Sequence, residues 1–98
     1  MKRHEQVGWI IQFTEYLMEN SATDIQEWIL KKSITFKTRS DVEKIFYNTL
    51  QNLVEKERLP TDKSKLFTNL ITLYESSGSL ESFETYETKS VGEVETQA

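Results

Sequence analysis

Apolar residues recur at helical spacing in four stretches of the chain, and the first stretch is unusually apolar. It reads VGWIIQFTEYLM at 7–18, and placing its residues at steps of about 100° gives two apolar stripes side by side. The aromatic stripe comprises Trp9, Phe13 and Tyr16. The aliphatic stripe comprises Val7, Ile10, Ile11, Leu17 and Met18. Because an ordinary surface helix needs an apolar arc only somewhat wider than about 100°, this helix is predicted to contact other elements on two sides.

A short second helix is predicted over about 23–32. Apolar residues recur there at i, i+3 and i+4, namely Ile25, Trp28 and Ile29. Thr23 stands three residues before Gln26, which is the spacing of a capping box, so Thr23 is the predicted N-cap. Ser21 is a weaker alternative for the same role.

The next segment, SITFKTRS at 33–40, alternates apolar and polar residues as a strand does. No second strand is predicted that could pair with it. We therefore expect an extended connection, with Ile34 and Phe36 holding it on the core.

The last two predicted helices have clear ends. Ser40 is expected to cap the third helix, with the Glu43 side chain reaching back to the Ser40 amide in a capping box. The third helix is predicted to run to about Glu57, and the fourth to begin near Asp62. Gly78 can adopt the left-handed conformation that ends a helix, so the fourth helix is predicted to end there.

Four helical segments with short links predict an all-α fold, a small antiparallel bundle of about four helices over residues 1–78. Residues 79–98 are rich in Ser, Thr and Glu and predict a disordered or loosely docked acidic tail. Two interpretations of the first helix stay open. Either it is surrounded by the other three helices, or Trp9, Phe13 and Tyr16 form a partly exposed face that binds a partner.

The formal net charge is −4, and it is unevenly distributed. From Glu75 onward there are six Glu and one Lys, whereas eleven Lys or Arg offset ten Asp or Glu before it. A nearly neutral body therefore carries an acidic terminus. This terminus is predicted either to be a solubilising segment or to bind a partner.

Five basic residues lie within fourteen positions, interleaved with Ser and Thr, and all are residue types that contact phosphate. They are Lys31, Lys32, Lys37, Arg39 and Lys44. The segment is a candidate nucleic-acid-binding site, but three features disfavour it. The predicted link before the third helix is longer than in a helix-turn-helix, Asp41 and Glu43 would repel phosphate, and the whole chain is acidic.

The composition argues against catalysis and against metal binding. The chain has no Cys and one His, His4, close to the N-terminus. Thiol catalysis and Cys-based zinc sites are thereby excluded, and a catalytic triad has no well-held base. The chain also lacks a Gly-rich phosphate loop and an acidic calcium loop. No catalytic residue, cofactor or metal site is therefore predicted.

No stretch reaches the roughly 18 apolar residues that a membrane span needs, and the N-terminus lacks a cleavage site for a signal peptide. A cytoplasmic protein is expected.

The predicted function is that of a small non-catalytic regulatory or adaptor protein that binds another protein, or a second copy of itself. The candidate binding residues are Trp9, Phe13 and Tyr16. A small DNA-binding regulator that uses the basic 31–44 segment is the alternative. The organisation is also similar to that of small bacterial and phage regulators and of bacteriocin immunity proteins, at the level of architecture alone.

Overall fold

The computed structural model describes residues 2–80 and Phe83, leaving aside the side chains of residues 33–35 and 37. This part of the chain folds into four helices of 17 residues each. They are α1 (Arg3–Glu19), α2 (Ala22–Thr38), α3 (Ser40–Lys56) and α4 (Thr61–Ser77). No strand occurs within the described residues, and the predicted all-α bundle is confirmed.

α3 is the central helix of the bundle. It packs against each of the other three helices, whereas α1 packs mainly on α3. The apolar residues of α3 recur at helical spacing and are buried, namely Val42, Ile45, Phe46, Leu50 and Leu53. In α1, which is described throughout, only Phe13 and Leu17 are buried. The interpretation that α1 is surrounded by the other helices is therefore wrong, and α3 takes that place.

α2 is longer than predicted and is followed by almost no connection. It runs to Thr38, so residues 33–38 are helical, in contrast to the predicted extended connection, and Arg39 alone separates α2 from α3. Phe36 accounts for the difference, because it lies seven residues after Ile29 and thus on the same side of a helix. Both side chains are buried. The alternation of apolar and polar residues fits a strand over a few positions only, whereas the helical period extends through the whole segment.

Two predicted helix starts differ in detail. The N-cap of α2 is Ser21, whose hydroxyl accepts a hydrogen bond of 3.2 Å from the Asp24 amide. The prediction of Thr23 as the cap is therefore wrong, and the weaker alternative is the one observed. At α3 the N-cap position belongs to Arg39, while Ser40 is already helical and no side chain caps the helix. The predicted capping box at Ser40 is wrong.

α4 ends at Gly78 as predicted, with a left-handed φ of 75°. The chain then returns to the bundle, since Leu80 and Phe83 are each only 1% exposed. Packing therefore continues past Gly78, after which the acidic tail was predicted to begin. The rest of that predicted tail, residues 81–82 and 84–98, lies outside the described residues.

Glu43 holds the returning segment against α3. Its carboxylate accepts hydrogen bonds from the Leu80 amide at 2.9 Å and from the Ser79 hydroxyl at 3.1 Å. Glu43 is buried, so these donors replace the water that an exposed carboxylate would bind. The side chain predicted to close a local capping box thus forms a contact between distant parts of the chain.

Candidate protein-binding face on the first helix

One side of α1 exposes four large apolar side chains. Val7 is 47% exposed, Ile10 45%, Ile11 53% and Met18 40%. Val7, Ile11 and Met18 fall within about 40° of one another around the helix, and Ile10 lies beside them. We call these four residues the outer face of α1. Single exposed apolar residues are ordinary on a protein surface, whereas several on one helix face are typical of a binding surface.

The aromatic stripe of α1 faces the bundle. Phe13 is 2% exposed, and its ring centre lies 5.1 Å from that of Phe46 and 6.1 Å from that of Trp28, both edge to face. Trp9 stacks on Phe13 at 5.3 Å, and the Tyr16 ring lies 4.7 Å from Trp28. Such ring pairs contribute about 0.5–1.5 kcal/mol each beyond the area they bury. The aromatic stripe therefore anchors α1 on α2 and α3 and leaves the aliphatic stripe on the outside.

The predicted binding residues and the exposed surface of α1 are thus largely different. Phe13 belongs to the core, while Trp9 and Tyr16 are half-buried at its margin. Their role in partner binding stays a prediction. Sequence reasoning did not single out the outer face, because both stripes of α1 look equally suited to the core. The aromatic residues of α2 and α3, such as Trp28 and Phe46, could have predicted which stripe of α1 is buried. Aromatic rings pair favourably with one another, so these residues favour the aromatic stripe of α1 as the side that packs on the bundle.

A cleft of about 230 Å³ lies between α1 and α2. Tyr16 and Trp28 form part of its wall, together with Lys32. Burial, followed by the nearby carboxylates of Asp24 and Glu27, raises the pKa of Tyr16. The cleft is smaller than most ligand pockets, which begin at about 300 Å³.

The charges on α1 run mostly against its helix dipole. Arg3 stands in the first turn, and Glu15 and Glu19 lie near the C-terminal end, which has no basic residue in its last turn. The dipole favours the opposite arrangement, acidic residues first and basic residues last, and only Glu5 follows it. These exposed charges therefore do not help to stabilise the isolated helix.

The C-terminal end of α1 is held by two side-chain hydrogen bonds. Lys63 in the first turn of α4 donates to the Met18 carbonyl at 3.2 Å, and the Asn20 side-chain amide donates to the Tyr16 carbonyl at 2.9 Å. The Met18 carbonyl belongs to the last turn, whose carbonyl groups have no partner within the helix. The Tyr16 carbonyl also accepts a hydrogen bond of 3.1 Å from the backbone amide of Asn20. The outer face is thus presented by a helix whose end is fixed.

The basic segment predicted to bind nucleic acid is not a loop. Its predicted contact residues are Lys31, Lys32, Lys37, Arg39 and Lys44. Lys31 and Lys32 are exposed on α2 and Lys44 is exposed on α3, whereas the Lys37 side chain is outside the described part. Arg39 forms an exposed ion pair with Asp41, with 3.6 Å between Nε and Oδ1. Nucleic-acid binding by this set stays a prediction.

No described helix combines the length and the apolar character needed to cross a bilayer. No group of three or more His, Cys, Asp or Glu side chains in the described part is arranged to hold a metal ion. Comparisons of the chain with protein-family models, with curated proteins and with solved structures find no match.

Proposed function

We propose that this chain is a small non-catalytic adaptor or regulatory protein that binds another protein through the outer face of α1. The observation that supports this best is the exposure of Val7, Ile10, Ile11 and Met18 on a helix whose other apolar side is already buried. Burying such a side chain completely is worth about 1.5–3 kcal/mol. Because each is roughly half exposed, covering all four would contribute about 3–6 kcal/mol to binding before the costs of association.

Composition supports binding over catalysis. The chain has no Cys, and its one His, His4, is exposed in the first turn of α1. A general base needs a neighbouring group that orients it and a site that excludes water. An exposed His at the beginning of a surface helix has neither.

The proposal is tested by capture followed by measurement with purified proteins. The chain is immobilised and exposed to a lysate of the organism that encodes it, and captured proteins are identified, purified and titrated against the chain by calorimetry. Ile11→Glu places a charge at the centre of the outer face. We expect it to weaken the binding of the purified partner at least about ten-fold, because the few residues that contribute about 2 kcal/mol or more to binding cluster near the centre of an interface.

Gln12→Glu is the matched control for Ile11→Glu. It introduces the same charge one residue along the helix, where Gln12 is exposed on the polar side. The control variant should bind the partner with the wild-type Kd. A partner that binds Ile11→Glu and wild type equally well would show that another surface mediates binding, and would overturn the proposal.

A further inference from the structure

We propose that the cleft between α1 and α2 binds a small planar aromatic molecule that carries a carboxylate. This site is separate from the outer face of α1 and does not depend on the proposed function. Three features of the cleft support the inference, namely its aromatic walls, its volume and the one charged residue among the described residues that line it.

The cleft has an apolar floor and aromatic walls. Phe13 and Phe36, each 2% exposed, form the floor together with the buried Val42. The half-buried rings of Trp9 and Trp28 line the cleft from α1 and from α2. The floor holds both rings in place, because Trp9 stacks on Phe13 at 5.3 Å and Trp28 meets Phe36 edge to face at 6.0 Å. A flat aromatic ligand can therefore pair with several rings at once.

The volume of the cleft, about 230 Å³, fits a ligand with a single ring. An apolar cavity of about 150 Å³ is large enough to bind benzene, so the cleft has room for one ring and a carboxylate substituent. Pockets for drug-sized ligands begin at about 300 Å³. The expected ligand is therefore smaller than most drugs.

Lys32 determines the charge of the expected ligand. It is exposed, and it is the one charged residue among the described residues that line the cleft. Trp28, Lys32 and Phe36 follow one another at intervals of four residues, so they share one side of α2. Within the described part of the chain, Lys32 has no hydrogen-bond or ion-pair partner. Its ammonium group is therefore available to a carboxylate at the mouth of the cleft.

A cation is the less favourable ligand, although aromatic faces attract cations as well. The carboxylates that could hold a cation near the cleft are Asp24 and Glu27, which raise the pKa of Tyr16. Neither residue lines the cleft, and both precede Trp28 in α2, whereas Lys32 follows Trp28 by one turn. A cation between the rings would lie beside the Lys32 ammonium group and be repelled by it.

The charge preference is tested with benzoate, benzamide and benzamidine, which share one ring and are negative, neutral and positive. The full chain is titrated with each compound, and NMR follows the indole N–H signals of its two Trp residues. Benzoate should shift both signals with saturation and a Kd on the order of 1 mM, because so small a ligand makes few contacts. Benzamide should bind about two- to five-fold more weakly, as expected for the loss of an exposed ion pair, and benzamidine more weakly still.

Lys32→Gln tests the role of the ammonium group. It should weaken benzoate binding about two- to five-fold and leave benzamide binding unchanged. Lys31→Gln is the matched control, because it makes the same change of charge one residue away, at an exposed position that does not line the cleft. This control should bind all three compounds as wild type does. Ile11→Glu should also leave benzoate binding unchanged, so the test is distinct from that of the outer face.

Three results would overturn the inference. The first is that neither indole signal shifts with saturation at about twenty times the expected Kd of benzoate. The second is that benzamide or benzamidine binds as tightly as benzoate. The third is that Lys32→Gln and Lys31→Gln weaken benzoate binding equally, which would mean that only the overall charge of the chain matters.

Discussion

The carboxylate of Glu43 in the first turn of α3 accepts a hydrogen bond of 2.9 Å from the Leu80 amide, 37 residues further along the chain. The Ser79 hydroxyl donates to the same oxygen at 3.1 Å. Glu43 is only 3% exposed, so removing these donors would leave a buried carboxylate without protein partners at that oxygen. The start of the central helix and the segment after α4 therefore stabilise each other.

Replacing Glu43 tests this contact. We expect Glu43→Ala to lower the free energy of unfolding by about 2–3 kcal/mol, because two hydrogen bonds to a charged acceptor are lost and the Leu80 amide is left buried. Urea denaturation measures the change. Glu55→Ala, at an exposed position of the same helix, is the control and should stay within about 0.5 kcal/mol of wild type. Equal effects of the two substitutions would mean that the Glu43 contact does not stabilise the fold.

The returning segment is expected to be part of the core. Leu80 and Phe83 are each 1% exposed, so Leu80→Ala and Phe83→Ala should each destabilise the chain by about 2–5 kcal/mol. Ile11→Ala, which removes side-chain carbons at a position 53% exposed, should cost less than about 1 kcal/mol. The three variants are compared by urea denaturation in dilute solution. If Leu80→Ala costs no more than Ile11→Ala, the packed body ends before Leu80.

The two described glycines should respond to alanine in opposite directions. A Cβ added at Gly8 or at Gly78 meets no atom within 4 Å, so space does not distinguish the two positions. Gly8 lies inside α1, where Ala is favoured over Gly by about 0.5–1 kcal/mol, and Gly8→Ala should raise the free energy of unfolding by that amount. Gly78 has a left-handed φ of 75°, which favours Gly over Ala. Gly78→Ala should therefore lower the free energy of unfolding by about 1 kcal/mol. Thermal unfolding of the pair measures both, and a stabilising Gly78→Ala would contradict the left-handed end of α4.

Tyr47 provides a pH-dependent prediction. Its hydroxyl donates to Glu75 at 3.0 Å, and burial, followed by that hydrogen bond and the Glu75 charge, raises the pKa of Tyr47. A phenol with a higher pKa in the folded chain stabilises the fold fully below its unfolded pKa of about 10, and this stabilisation is lost as pH rises through the folded value. Stability should therefore fall above about pH 10. Ultraviolet titration of wild type against Tyr47→Phe isolates the Tyr47 signal.

Glu75→Gln distinguishes the two causes of the raised Tyr47 pKa, namely burial and the Glu75 carboxylate. Removing the charge should lower the pKa of Tyr47 towards its ordinary value, although burial still raises it. Glu55→Gln is a control at an exposed position of α3 and should leave the Tyr47 titration unchanged. A Tyr47 that titrates identically with and without the Glu75 carboxylate would show that the hydrogen bond does not persist in solution.

The features of the fold that were predicted correctly from the sequence depend only on residues close together in the chain. The stripe of α3 and the end of α4 at Gly78 follow from spacing and backbone conformation within a few positions. The segment at 33–38 was predicted wrongly because a few alternating residues fit a strand and a helix equally well. The role of Glu43 was missed because its partner, Leu80, is distant in the chain and only the fold brings them together.

The candidate binding face on α1 could likewise be predicted only in part, because it depends on contacts with other helices. A helical wheel identifies two apolar stripes on α1, but it does not determine which stripe packs against the other helices. That depends on Trp28 and Phe46, which α2 and α3 place against Phe13. The aromatic stripe is consequently buried, and the outer face with Ile11 at its centre remains exposed.

The most direct test of the outer face is the methyl spectrum of the Ile and Met side chains, recorded with a soluble paramagnetic chelate in a dilute sample. The chelate broadens methyl signals that solvent reaches. The structure predicts strong broadening for Ile10, Ile11 and Met18, and none for the buried Ile25 and Ile29. If the Ile11 and Met18 methyl groups are as well protected as those of Ile25 and Ile29, α1 has no exposed apolar face for a partner.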